Sequence, residues 1–228
     1  MPSVSVGRVM ALALVAVVAT GCFKLARTSP PVERYVLGGS PVADSSAASS
    51  ASGGLTLGLR RLDLAPYLST LAIVVRRADN EIVASGFHRW AESPSAGLNR
   101  AVAGYLLAAP SVRSVDVAPW APRSAYDYVV QLHVTRFEGV ESGGRGASHV
   151  QTRWEIIRPP DDVLVARGTT DVRASDWSVD DYAGLVARLD RGLVVVSQDI
   201  VACLGRLGSV ERLGDATVVA QPLECGGR

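Results

Sequence analysis

The hydrophobic pattern organises the chain from Leu55 onward. Leu55-Thr56-Leu57-Gly58-Leu59 alternates with the two-residue period of a half-buried strand. Leu71 to Arg76 and Glu81 to Trp90 are two more strands, and Ala78-Asp79-Asn80 supplies turn chemistry between them, which predicts a hairpin. Ser93-Pro94 opens a helix, with serine as the cap and proline in the first turn. Leu98, Ala101, Val102, Tyr105, Leu106 and Ala109 then keep the 3.6-residue period until Pro110 ends it. Val112 to Val117 is a short strand, and Tyr126 to Glu138 alternates with Tyr128, Val130, Leu132 and Val134 on one face. Gly143-Gly144-Arg145-Gly146 marks a loop. His149 to Ile157 and Val163 to Val172 form a second hairpin across Pro159-Pro160-Asp161-Asp162. Ser178-Val179-Asp180-Asp181 resembles a capping box with Asp in place of Glu. The helix after it aligns Tyr182, Leu185, Val186, Leu189, Leu193, Val196 and Ile200. Each half is thus several strands followed by one amphipathic helix. That pattern predicts an α+β two-layer domain, a mostly antiparallel sheet with two amphipathic helices packed on one face.

The flanks of this pattern differ in kind. Residues 38–54 are Ser/Ala/Gly-rich and read as a flexible loop. Before them Tyr35-Val36-Leu37 is an isolated strand-like triplet, either an edge strand of the domain or a segment outside a domain that starts near Leu55. The tail 205–228 reads as loosely ordered. At the other end Arg8 precedes an apolar run, Val9 to Ala19, and then Thr20-Gly21-Cys22. This is a charged n-region, a short h-region and a small-residue cleavage site. Its ending resembles a bacterial lipobox, with Ala19 where Leu or Val is usual, and makes Cys22 the candidate lipidation site. The alternative is an ordinary secretory signal that leaves Cys22 a thiol. The organisation expected is a signal peptide over 1–21, a lipidated tether over 22–33 and a domain over 34–204. No stretch after Cys22 reads as a membrane span, so the mature protein is expected to be anchored and not to cross.

Composition narrows the classes further. About 207 residues remain after the signal, enough for one large domain with a real core. Lys+Arg 23 against Asp+Glu 22 gives a net charge of +1, and no basic stripe with interleaved aromatics points to nucleic acid. Besides Cys22 there are Cys203 and Cys225. In an oxidising compartment these either bridge or remain two free thiols; a bridge would be worth about 3 kcal/mol in the chain-entropy model. His88, His133 and His149 have no metal-ligand spacing, and no cysteine joins them. The Gly-rich 143–146 stretch lacks a following Lys-Ser/Thr, and no Gly-x-Ser-x-Gly elbow occurs. Asp161-Asp162 read as solvated turn residues and Asp180-Asp181 as favourable charges at a helix start. No nucleophile, base and oxyanion site assemble, so no catalytic residue, metal or cofactor is expected.

The run from Leu62 to Tyr105 carries a resemblance. Pro66-Tyr67-Leu68, Ile73-Val74-Val75-Arg76 and Arg89-Trp90-Ala91-Glu92 followed by a helix resemble the auxiliary lipoprotein component of ABC-type transport systems, the PqiC-like proteins found with MCE-domain lipid transporters. Tyr35-Val36-Leu37 shortly after a lipidated cysteine resembles that family's opening strand, which places the triplet inside the domain. Ser69-Thr70 and Ser93-Pro94 depart from the family's usual pairs. The resemblance implies a non-catalytic, lipid-anchored subunit on the periplasmic face of a membrane, usually the outer one, associated with an MCE-domain protein. Phe23 after the cysteine carries no inner-membrane retention signal under the common sorting rule. A lipoprotein that itself binds a lipid, or that activates a cell-wall enzyme, is the rival reading, and the oligomeric state is left open, a homo-oligomer included. Tyr67, Leu68, Arg89 and Trp90 are the expected partner-binding residues: proline frees Pro66-Tyr67-Leu68 from a central ladder, and Tyr, Trp and Arg most often carry interface energy. Against this, Trp90 would equally serve to close the core under the helix that follows it.

Overall fold

Residues 29–39, 53–121, 124–213 and 221–226 are described in a computed structural model. The predicted signal peptide, Cys22 and residues 40–52 of the Ser/Ala/Gly-rich stretch lie outside them. The chain runs β1 (Glu33–Tyr35), β2 (Leu55–Leu59), β3 (Asp63–Leu64), a 3-10 turn (Pro66–Leu68), β4 (Ala72–Ala78) and β5 (Glu81–Trp90). Helix α1 (Pro94–Leu107), β6 (Val112–Val117), β7 (Tyr128–Ser142), β8 (Arg145–Arg158), β9 (Val163–Trp177), α2 (Tyr182–Leu213) and β10 (Leu223–Cys225) complete it. Among the described residues one sheet holds every strand, in the order β1-β5-β4-β7-β8-β9-β10, with β2 and β3 beside β7 and β6 beside β2.

The long meander β7-β8-β9 and the β4-β5 hairpin are antiparallel. The shorter pairings, of β1 with β5 and of β2, β3 and β4 with β7, are parallel. This is a mixed, mostly antiparallel sheet with two helices against it, the two-layer α+β domain that the periodicity predicts. Local chemistry explains its joints. Gly143 and Gly144 sit at φ +57° and +75°, the left-handed pair that a two-residue hairpin between β7 and β8 requires. Ser93 accepts a hydrogen bond from the Ala96 amide at 3.3 Å and Pro94 takes the first helical position of α1. The core lies between helices and sheet, where Leu98, Leu106, Leu132, Trp154, Ile156, Leu185, Leu189 and Ile200 are at most 1% exposed.

Several expectations change. The edge strand is Glu33–Tyr35 and not Tyr35–Leu37; beyond it Leu37 turns inward, and the Gly38 amide donates to Asp190 of α2 at 2.8 Å. Helix α2 is capped by Asp181, whose carboxylate accepts from the Gly184 amide at 2.8 Å, and not by Ser178. In the segment expected to be a loose tail, the described residues are ordered: α2 continues past Gly205 to Leu213 with Leu207 buried, and β10 adds to the edge of β9. Tyr182–Val210, 29 residues, is long and apolar enough by composition to cross a membrane, against the expectation that no such stretch follows Cys22. Its apolar side instead faces the sheet and α1 through Leu185, Leu189, Leu193, Val196 and Ile200.

Candidate functional site

Strands β2, β3 and β4 track one edge of β7 in succession. Between Leu64 and Val75 the chain uses eleven residues against the five from Val134 to Gly139 on β7 (75 − 64 and 139 − 134). The 3-10 turn of Pro66-Tyr67-Leu68 takes up half of that excess, and Ser69 to Leu71, which lead into β4, the rest. Opposite it β7 carries a bulge between Val134 and Arg136, where its register against β8 shifts. The bulge inverts the strand's parity: Val130, Leu132 and Val134 face the core before it, and Phe137 and Gly139 after it. Glu138 is thereby directed away from the helices, yet its side chain is 0% exposed.

Three side chains cover that carboxylate. Arg76 Nε donates at 2.6 Å to Glu138 Oε1, Arg136 Nη1 donates at 2.9 Å to the same oxygen, and the Tyr67 hydroxyl donates at 2.7 Å to Oε2. The Tyr67 hydroxyl also lies 3.1 Å from the Thr135 carbonyl at the bulge, and the Arg76 guanidinium sits 5.8 Å over the Tyr67 ring. Burial alone would raise the Glu138 pKa, but the three donors outweigh it and hold the carboxyl below the usual range. Burial and the anionic neighbour push the Tyr67 hydroxyl up to about 12. A carboxylate so saturated is no general base, and two guanidiniums around one carboxylate leave a local surplus of positive charge. Sequence reasoning missed Glu138 and Arg136; the available signal was a glutamate between Phe137 and Gly139 in an otherwise buried run.

The four expected partner residues separate. Leu68 and Trp90 are 3% and 6% exposed and belong to the core, with Trp90 5.8 Å from the Phe137 ring, so neither offers a partner surface. Tyr67 is half-buried and committed to Glu138. Arg89 alone is exposed, on β5 beside β1, where Phe87, Leu71 and Val36 are also exposed at 42%, 46% and 55%. Cys203 and Cys225 are joined as a disulfide with Cα atoms 5.8 Å apart, linking α2 to β10.

Each histidine faces its own carboxylate. His88 Nδ1 lies 3.4 Å from Glu33 and its ring stacks on Tyr182; His133 Nδ1 lies 2.9 Å from Asp63; His149 Nε2 lies 2.9 Å from Asp171. Among the described residues no group of three His, Cys, Asp or Glu could hold a metal ion.

Two solved structures share this architecture. Protein XCC0632 from Xanthomonas campestris is 20% identical, with a TM-score of 0.61 over 70% of this chain and 89% of its own. An uncharacterised protein is 17% identical, with a TM-score of 0.59 over 76% of this chain and 99% of its own. At these identities the likeness shows the fold alone. No curated protein matches the sequence. The model of one family matches residues 35–201, most of the chain, from β1 through most of α2. The chain belongs to the family of ABC-type transport auxiliary lipoprotein components, and so is a non-catalytic periplasmic accessory lipoprotein.

Proposed function

We propose that the protein is anchored by lipid on Cys22 and docks an MCE-type ABC lipid transport assembly to a membrane, the outer membrane given Phe23 after the anchor. The family match over residues 35–201 carries this reading. Geometry adds a candidate contact surface at the β1–β5 edge, where Phe87 and Arg89 are exposed on β5, and Val36 just after β1 and Leu71 just before β4 are exposed as well. Exposed arginine and aromatic residues are the types that most often anchor an interface. The eleven residues from Cys22 to Glu33 extend to at most roughly 40 Å, an upper limit on the distance from the start of β1 to a leaflet anchored at Cys22. Direct uptake of an acyl chain between helices and sheet is less well supported, because close-packed side chains fill that space. Phe87→Ser with Arg89→Ala should weaken co-purification with the MCE protein at least tenfold and leave the melting temperature near wild type. Undiminished co-purification would move the interface off this edge.

A further inference from the structure

Strand β9 is 15 residues long, yet its outer edge is only partly used. β8 pairs along one side of it, and on the other side β10 pairs with Ala166, Arg167 and Gly168 alone. Among the described residues nothing pairs with residues 169–175 on that side. Both ends of this free stretch are defined. β10 closes it at Gly168. At the other end Asp176, at φ +70°, is the extra residue of a bulge against Gly146 and Ala147, and takes the chain out of the ladder. Val172 is therefore its centre. An unpaired edge of this kind is a template for another strand. At the opposite margin of the sheet β1 covers His88, Arg89 and Trp90, and β5 is irregular between Ala84 and Arg89, so no comparably regular template is offered there.

The register with β8 fixes the two faces of the stretch. Asp171 and Arg173 stand opposite Gln151 and His149 on the face away from the helices, and with Thr169 and Ser175 they are exposed. Thr170, Val172 and Ala174 are on the helix face, where Thr170 donates to Asp199 of α2 at 2.8 Å. The Asp171 carboxylate is held in place: it lies 2.9 Å from His149 Nε2 and accepts from the Gln151 side-chain amide at 2.7 Å. The Arg173 side chain is 70% exposed and comes only to 3.8 Å of that carboxylate, so its guanidinium is free to reach outward.

A second copy of the chain fits this edge. Two β9 strands meeting antiparallel about a two-fold axis must keep like faces together, so the axis passes between one pair of identical residues. With the axis at Val172, Asp171 stands opposite Arg173 of the partner subunit, and Arg173 opposite the partner's Asp171. Thr170 then meets the partner's Ala174, Thr169 the partner's Ser175, and Val172 its own counterpart. Moving the axis to Asp171 or to Arg173 sets two carboxylates or two guanidiniums directly opposite, which is destabilising. The centre set by the ends of the free stretch and the centre set by charge are thus the same residue. We propose that the protein self-associates through this edge, two β9 strands pairing antiparallel about Val172 so that two sheets join into one. This goes beyond the docking reading and does not rest on it, because β1 and β5 lie at the other end of the strand order.

The test uses the full chain carrying Cys22→Ser. Sedimentation velocity over a concentration series should show a monomer–dimer equilibrium, a weak one because a strand edge is a small interface. Arg173→Asp sets carboxylate against carboxylate on both sides of the axis. It should weaken dimerisation at least tenfold at an unchanged melting temperature. Asp171→Arg should weaken it likewise, and mixing the two variants should restore dimers, since opposite charges face again in the mixed pair. Val172→Cys should form a covalent dimer under oxidised glutathione, because directly opposite residues bring their Cα atoms within disulfide range. Ser175→Cys, offset from its counterpart across the axis, should not. If Asp171→Arg fails to fold, the cross-link and Arg173→Asp decide. A chain that stays monomeric throughout and does not cross-link at Val172→Cys would overturn the proposal. A dimer indifferent to Arg173→Asp, or one that cross-links through Ser175→Cys and not through Val172→Cys, would overturn this register. Co-purification of Arg173→Asp with the MCE protein should be retained, which separates failure here from failure of the docking reading; its loss in a chain that is monomeric throughout would give the edge to that protein and overturn the second copy as occupant.

Discussion

Glu138 shows how one residue couples a break in a strand to the stability of the sheet. Its carboxylate has left water, and the Tyr67, Arg76 and Arg136 donors replace hydration. Tyr67→Phe removes one donor and keeps the ring, so it should cost about 1–3 kcal/mol, read as a lower denaturation midpoint in urea. The pH dependence has a definite sign. Glu138 titrates below its usual 4.5 in the folded chain, so its contribution is present above that value and disappears as pH falls through the lowered one. His149 acts in the same direction at higher pH. Burial first, then Arg173, hold it below its usual 6.5 against the opposing pull of Asp171, so its neutral form favours folding above 6.5 and acidification removes that preference. Melting temperature followed against pH should therefore fall in two stages. Glu138→Gln should flatten the stage below 4.5 and leave the stage near 6.5. Parallel wild-type and variant curves below 4.5 would mean that the carboxylate does not drive acid unfolding.

At the scale of elements, what could be read from sequence divides by the range of the interactions. Helix α1 was legible because its cap, its proline and its apolar stripe are all local. Both hairpins were legible because their turn residues lie between the strands they join. The β7 bulge was not: alternation through Tyr128, Val130, Leu132 and Val134 gives no notice that Thr135 inverts the faces, because the partner that stabilises the inversion is Tyr67, far back in the chain. The same limit hid Glu138, and with it the reason Pro66-Tyr67-Leu68 interrupts a strand. Leu68, expected on a partner surface, and Trp90, for which the surface and core readings stood side by side, are both buried, because residue type does not reveal which side of a strand end meets the helix. Strand β10 depends on a covalent link as well as on its pairing with Ala166–Gly168. The Cys203–Cys225 bridge closes a sequence separation of 22 residues, for which the chain-entropy model gives about 3 kcal/mol. Cys225→Ser should lower stability by about that amount and speed hydrogen exchange at Leu223 and Glu224. Unchanged exchange there would show that backbone pairing alone holds the strand.

Among the described residues the space between helices and sheet is close-packed with apolar side chains, and the domain's first strand, β1, lies at an edge of the sheet. That arrangement suits a component that positions a partner. It gives the anchor a sharp experimental signature. If Cys22 carries the lipid, Cys22→Ser should move the protein to the soluble periplasmic fraction and abolish palmitate labelling, since two or more acyl chains supply the attachment. The folded domain should be untouched, because β1 begins at Glu33 and Leu37, Gly38 and Arg100 tie the following segment to both helices. Melting temperature and co-purification with the MCE protein should then match wild type while envelope integrity fails. This combination separates anchoring from folding and from partner recognition. A variant that stays in the membrane and still labels would place the anchor elsewhere. A variant that is soluble, folded and fully functional would show that envelope integrity needs no lipid anchor on this protein, and the segment before β1 would then be a spacer and not an attachment.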